Sequence, residues 1–175
     1  MEILSYKKIN STNLKAKELA KKGAKAWTIV SAKEQTSGYG KRRRTWSSPA
    51  GGLYFSVILP KSNIEDLQTL TILAAFIIAK VVKENFKLEP LIKLPNDVVL
   101  GGKKICGILT ENVVGKDVKF SVMGIGLNTN VEKITPELKN IATSLKIEMG
   151  KKVDNEKILS QIIKELKHQL KTISE

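Results

Sequence analysis

Apolar positions cluster into segments of two kinds along the chain. Residues 3–9, 26–33, 53–59, 98–100, 103–112 and 118–125 alternate or run together in β-branched and aromatic types, which predicts strands. Helices are read over residues 12–22, about 64–85 and 155–173, the first of them preceded by the capping residues Asn10 and Ser11. The longest apolar stretch, residues 70–82, is too short to span a bilayer and contains Lys80, so it reads as a buried helix. Gly101-Gly102 between two β-rich runs is a two-residue hairpin signal, and Gly115-Lys116-Asp117 supplies a second turn of the same kind. The strands there should be antiparallel, and the fold class is mixed α+β. Residues 34–49 break the pattern: little apolar periodicity, two glycines, three successive arginines and Trp46 make a long loop of the sort that often carries function.

No internal repeat, low-complexity tract or linker divides the chain, and 175 residues are enough to bury a core, so one domain over residues 1–175 is expected. A hydrophobic share of 42% against 27% charged residues excludes a largely disordered chain. With Cys106 the single cysteine there is no internal disulfide, and no charged leader with an apolar segment opens the sequence, so a cytoplasmic, membrane-free protein is expected.

A net charge of +13 asks for an acidic partner: nucleic acid, an anionic membrane, nucleotide phosphate or an acidic protein surface. Of the 30 basic residues 27 are lysines, and the three arginines are consecutive, Arg42, Arg43 and Arg44. The guanidinium fork matches phosphate and carboxylate geometry, so the run reads as an anion site or, equally, as a solvated basic loop. Histidine is nearly absent: His168 stands alone in the polar C-terminal helix, and Cys106 lies in the apolar run 105–109. That excludes histidine-based metal and triad chemistry and sets aside a cysteine–histidine dyad. Any enzyme with this inventory works by binding, orientation and electrostatic stabilisation, which suits phosphate chemistry. In the loop, Gly38 and Gly40 would let backbone approach a ligand and turn with positive φ, and the following cations would neutralise phosphate. Trp46 offers a face for a purine, or else anchors the loop in the core.

Four further segments give the loop a context. They are Ser11-Thr12-Asn13, Lys93-Leu94-Pro95-Asn96-Asp97, Lys103-Lys104-Ile105-Cys106-Gly107-Ile108-Leu109 and Gly124-Ile125-Gly126-Leu127-Asn128. In order and spacing, from about residue 6 to residue 130, the five together resemble the catalytic domain of biotin–protein ligases. That resemblance implies a largely antiparallel mixed sheet flanked by helices, similar to class II aminoacyl-tRNA synthetase and lipoate ligase catalytic domains. It implies ATP-dependent formation of biotinyl-5′-AMP, with Mg²⁺, and transfer of biotin to a lysine of a biotin carboxyl carrier protein. Ser11, Thr12 and Gln35 would hydrogen-bond the ureido ring, and Gly38, Gly107 and Gly124 would let backbone close on biotin. Lys104 would hold the biotin carboxylate and α-phosphate, with Lys41 and Arg44 as the other catalytic cations. Tyr39, Gly40, Lys41, Trp46, Asn96 and Asn128 would bind ATP, and Asp97 the metal that accompanies it.

Taken singly, Ser11 reads as a helix cap, Asn96-Asp97 as a turn after proline, Gly107 as close packing and Lys104 as a solvated hairpin residue. The chain departs from the usual family pattern at four places: arginine is common where Tyr39 and Lys41 stand, glycine near Arg43, and tryptophan where Leu94 stands. The resemblance also leads one to expect that the usual C-terminal small β-barrel and any N-terminal DNA-binding domain are missing, hence no DNA partner. An acidic carrier domain suits the +13 charge, and a homodimer is an open assembly state. Two other readings stand beside this one: a lipoate or octanoate ligase or transferase, and a non-enzymatic nucleic-acid-binding module. The loop lacks the histidine of lipoyl relatives, and aromatics at 5% are not interleaved with basic residues as a stacking platform requires.

Overall fold

The computed structural model describes residues 2–60, 67–114 and 119–174. Its centre is a seven-stranded sheet in the order β1-β2-β3-β7-β6-β5-β4. The strands are β1 (Ile3–Tyr6), β2 (Ile29–Ala32), β3 (Leu53–Leu59), β4 (Leu91–Lys93), β5 (Asp97–Leu100), β6 (Lys103–Val114) and β7 (Lys119–Leu127). β1 and β2 run parallel, and every other neighbouring pair is antiparallel. Four α-helices are described: α1 (Thr12–Lys21), α2 (Leu67–Phe86), α3 (Leu145–Met149) and α4 (Asn155–Ser174).

Alternation along the strands sorts side chains between the two faces of the sheet. On β3, Leu53, Phe55, Val57 and Leu59 join the main core with α2, α4 and the inner residues of β5, β6 and β7. Ile58 points the other way, into a smaller cluster with Val30, Val122 and the α1 residues Ala16 and Ala20. That second face, where α1 covers only part of the sheet, is where the long loop lies.

The expected strand 53–59 agrees with β3 to the residue, and the Gly101-Gly102 hairpin joins β5 to β6 with both glycines at positive φ, 53° and 80°. β1 ends at Tyr6, where residues 7 and 8 bend, and Ile9 makes an isolated bridge to Gln35 beyond it. The expected helix 70–82 lies within α2, but it is not buried all round: Phe76 is 59% exposed. Two elements go beyond the sequence expectation, the three-residue β4 and the five-residue α3, the latter capped by Ser144 and closed by Gly150 in the left-handed region. The expected turn at Gly115-Lys116-Asp117 and the start of the second helix, residues 64–66, lie outside the described residues.

One irregularity matters for function. Cys106 pairs with Val98, but Lys104 pairs with Val99, so β6 carries one extra residue, Ile105, opposite β5. A bulge of this kind reverses the alternation on its strand. It places both Gly107 and Lys104 on the loop-bearing face while Ile105 and Cys106 remain in the core.

Candidate active site

The loop-bearing face holds a cavity of about 530 Å³, within the range of small-molecule sites. Its floor is glycine: Gly126 pairs with Tyr54 on one side and Gly107 on the other, and Gly124 pairs with Ser56 and Leu109. Missing side chains there leave room that other residues fill. A methyl group on Gly126 would lie 2.4 Å from Trp46 Nε1, and one on Gly124 would lie 1.9 Å from Asn13 Oδ1. Trp46 therefore lies across Gly107 and Gly126, and Asn13 across Gly124.

A chain of hydrogen bonds lines the α1 end of the floor. Thr12 donates from its backbone N–H to Gln35 Oε1 at 2.8 Å and from its hydroxyl at 3.1 Å, and Gln35 Nε2 donates to Ser48 Oγ at 2.8 Å. The buried Ser56 hydroxyl lies 2.8 Å from Thr12 Oγ1 and 2.6 Å from Asn13 Oδ1. Ser11 is the N-cap of α1, its hydroxyl accepting from Leu14 N at 3.5 Å, and it also faces the cavity. The capping and site readings of Ser11 thus coincide. Asn10 does not cap; its side chain accepts from Thr36 Oγ1 at 3.1 Å.

Lys104 is less than a third exposed, so it is not a solvated hairpin residue. Its Nζ sits 2.6 Å from Asp97 Oδ1 and 5.0 Å from the Trp46 ring centroid. That ion pair is the one polar contact Asp97 Oδ1 makes among the described residues. Among the described residues lining the cavity Asp97 is the one carboxylate. The Trp46 indole N–H is buried without a partner. The Asn128 side chain donates to the Thr143 carbonyl at 3.0 Å, holding the segment before α3 against the cavity, and the main-chain carbonyl of Asn96 accepts the Ile108 N–H.

The loop folds as a small hairpin, with Trp46 N donating to Gly38 O and Gly40 N to Arg44 O. Neither Gly38 nor Gly40 takes the positive φ expected of it. That conformation falls on Arg42 (φ 56°) and Arg43 (φ 59°) at the tip, where side chains resist it. Gly38 serves close packing: a Cβ there would meet Ser48 Oγ and the Trp46 carbonyl at 2.7 Å. The arginine run divides, Arg42 and Arg44 lining the cavity with Lys41 while Arg43 lies 4.5 Å above the Tyr39 ring.

The structure adds residues that sequence reading passed over. Asn13, Ser48 and Ser56 complete the floor network, and Glu111 on β6 joins it through Asn13 Nδ2 at 2.9 Å. Burial pushes the Glu111 carboxyl up, but donors from Lys17, Asn13 and Tyr39 outweigh it and leave its pKa below the usual carboxylate value. Burial first and the Glu111 hydrogen bond second raise the Tyr39 hydroxyl, which therefore stays a proton donor. Asn13 stood inside a recognised motif; Ser56 and Glu111 carried no local signal, being 43 and 98 residues from Asn13. Cys106 is fully buried, which raises its thiol pKa, and His168 is exposed on α4, so the dyad has no geometry.

Residues 5–128 match the Biotin/lipoate A/B protein ligase family. The bifunctional ligase/repressor BirA of Bacillus subtilis (strain 168) is 38% identical over 160 residues, covering 89% of this chain and 49% of that protein. The biotin–[acetyl-CoA-carboxylase] ligase of Paracoccus denitrificans is 35% identical over 126 residues, covering 68% and 51%. This chain thus spans about half the length of these two relatives. A structure of the biotin protein ligase from Aquifex aeolicus in complex with biotin and ATP superposes with a TM-score of 0.90 at 32% identity, covering 99% of this chain and 72% of that one.

Proposed function

Since this chain belongs to the Biotin/lipoate A/B protein ligase family, we propose that it activates biotin with ATP to biotinyl-5′-AMP and transfers the biotinyl group to a lysine of a biotin carboxyl carrier protein. The observation that carries this reading is that one cavity combines neutral hydrogen-bonding side chains at its α1 end, a lysine beside them and a cationic loop at its rim. A ureido ring offers two N–H donors and a carbonyl to the Ser11, Thr12, Gln35 and Asn13 end. The dithiolane of lipoate and the alkyl chain of octanoate offer none, and would cover that polar end without adding a hydrogen bond to it.

The biotin carboxylate is ionised at neutral pH and attacks the α-phosphorus of ATP without a general base; pyrophosphate leaves. Lys104 holds the carboxylate and α-phosphate oxygens, and Lys41 and Arg44 meet the charge that develops on the phosphates. Trp46 stacks on adenine, with Tyr39, Gly40, Asn96 and Asn128 around the nucleotide. Gly107 and Gly124 line the biotin channel and Gly38 packs beside it, their missing Cβ atoms making room for Trp46, Asn13 and Ser48. The carrier lysine, once deprotonated, attacks the acyl carbon and AMP departs. Mg²⁺ accompanying ATP would add charge neutralisation, and Asp97, the one carboxylate among the described residues lining the cavity, would be the residue to hold it. Residues 1–175 act as one catalytic domain, in the cytoplasm where ATP is at hand. Among the described residues no helix is long and apolar enough to cross a membrane. The test is transfer: with biotin, ATP and Mg²⁺ the purified chain should biotinylate an acidic carrier domain at its lysine, read by mass spectrometry. An unmodified carrier, alongside a reference ligase that modifies it, sinks the proposal.

A further inference from the structure

The carboxylate of Glu111 draws together α1, β6 and the loop. Lys17 of α1 reaches Oε1 at 2.5 Å; the Tyr39 hydroxyl donates to Oε2 at 2.8 Å and Asn13 Nδ2 at 2.9 Å. Lys17 Nζ also donates to the Tyr39 hydroxyl at 3.3 Å, and the Arg43 guanidinium lies 4.5 Å from the centroid of that ring. None of this is surface decoration, since the Lys17 and Glu111 side chains are 19% and 22% exposed. The loop has few other holds on the domain near its tip: its polar ties at Thr36 and Ser37 precede the hairpin, and Trp46 and Ser48 stand at its far end. Residues 41–45 are all exposed.

We infer that Tyr39, Glu111 and Lys17 form a latch that holds the cationic hairpin, residues 38–46, over the cavity, with Glu111 and Lys17 as positioning residues that act through Tyr39. The hairpin is internally bonded by Gly40–Arg44 and Gly38–Trp46, so fixing Tyr39 fixes the path of Lys41 and Arg44. Four adjacent cations repel one another, and a carboxylate already balanced by Lys17 anchors them through a neutral hydroxyl and leaves the cations free for phosphate. The same carboxylate orients Asn13, which lies across Gly124, so loop and floor share one hinge point. Without the latch a larger share of molecules has the loop open, and apparent affinity falls by that share while saturated turnover is kept. This kinetic consequence rests on the function proposed above; the loop position does not.

Limited trypsin digestion of the ligand-free full chain separates the two, because Lys41 to Arg44 are cleavage sites within the latched hairpin. In Tyr39→Phe, which removes one oxygen and keeps the ring under Arg43, cleavage there should accelerate about fivefold, the shift expected for one lost hydrogen bond. Glu111→Gln should do the same, and the double variant should be little faster than either, because both break one contact. In the active enzyme Glu111→Gln should raise KM for ATP with kcat retained. Wild-type cleavage rates in Tyr39→Phe overturn the latch, as does acceleration spread equally over tryptic sites outside the loop or a KM left unchanged in Glu111→Gln. A wild-type chain that is inactive with biotin while its variants show the loop-specific cleavage would contradict the functional reading and leave the latch standing.

Discussion

Lys104 reaches the cavity because β6 carries one extra residue, and its neighbour Lys103 would occupy that face in a regular strand. Its pairing with Asp97 keeps the ammonium in place, and in the proposed reaction a carboxylate and a phosphate, offering more negative charge, would draw it away. Lys104→Ala should therefore lower the rate of adenylate formation by about 10²-fold or more, the range for losing one preorganised stabiliser of transition-state charge. The fold should be retained with a lower melting temperature, since Asp97 loses its ionic partner but no apolar core is removed. An unaltered turnover number would reduce Lys104 to a packing role. Trp46 covers Gly107 and Gly126, which anchors the loop, and its buried indole N–H has no partner; stacking on adenine is the second role proposed for it. Trp46→Ala should weaken ATP by about 1–3 kcal/mol and biotin by less, if the ring stacks on adenine. Titration calorimetry with each ligand decides, and equal losses would leave anchoring as its whole role.

The long loop was legible as functional from what it lacked, an apolar pattern, but its shape was not. Its conformational strain sits on Arg42 and Arg43 rather than on its glycines, and at Tyr39 it is tied to the domain by a polar contact to Glu111, remote in sequence. Periodicity locates an element whose own residues supply the pattern, so β3, α1 and α4 were read closely. β4 is three residues flanked by Pro90 and Pro95, and α3 is a single capped turn, both too short to show a period. Register is likewise invisible to spacing: the bulge that turns Lys104 inward depends on how β5 and β6 pair. For the loop as an element the prediction concerns ligand. Biotin with ATP should slow trypsin at Lys41 to Arg44 relative to the free protein, because phosphate neutralises the run and adenine gives Trp46 a surface. Equal cleavage with binding confirmed by calorimetry would mean that the loop does not close on the nucleotide.

At the scale of the whole molecule, order of motifs outweighed every single residue: Ser11, Lys104, Gly107 and Asn96-Asp97 each admit a plain structural reading, and the fold brings them to one cavity. The net charge of +13 belongs to this scale too. Transfer to an acidic carrier domain should slow as ionic strength rises, through the association rate, whereas adenylation of free biotin should depend on salt far less. Stopped-flow or quench-flow transfer rates over a salt series would show it, and salt-independent transfer would assign the charge to some other partner. The central claim is that the cavity activates biotin in particular. Pyrophosphate release by the purified chain with Mg-ATP and, in turn, biotin, lipoate or octanoate tests it most directly: release should require biotin and ATP together and be slight with the other two acids, and release with octanoate or lipoate but not with biotin would contradict it.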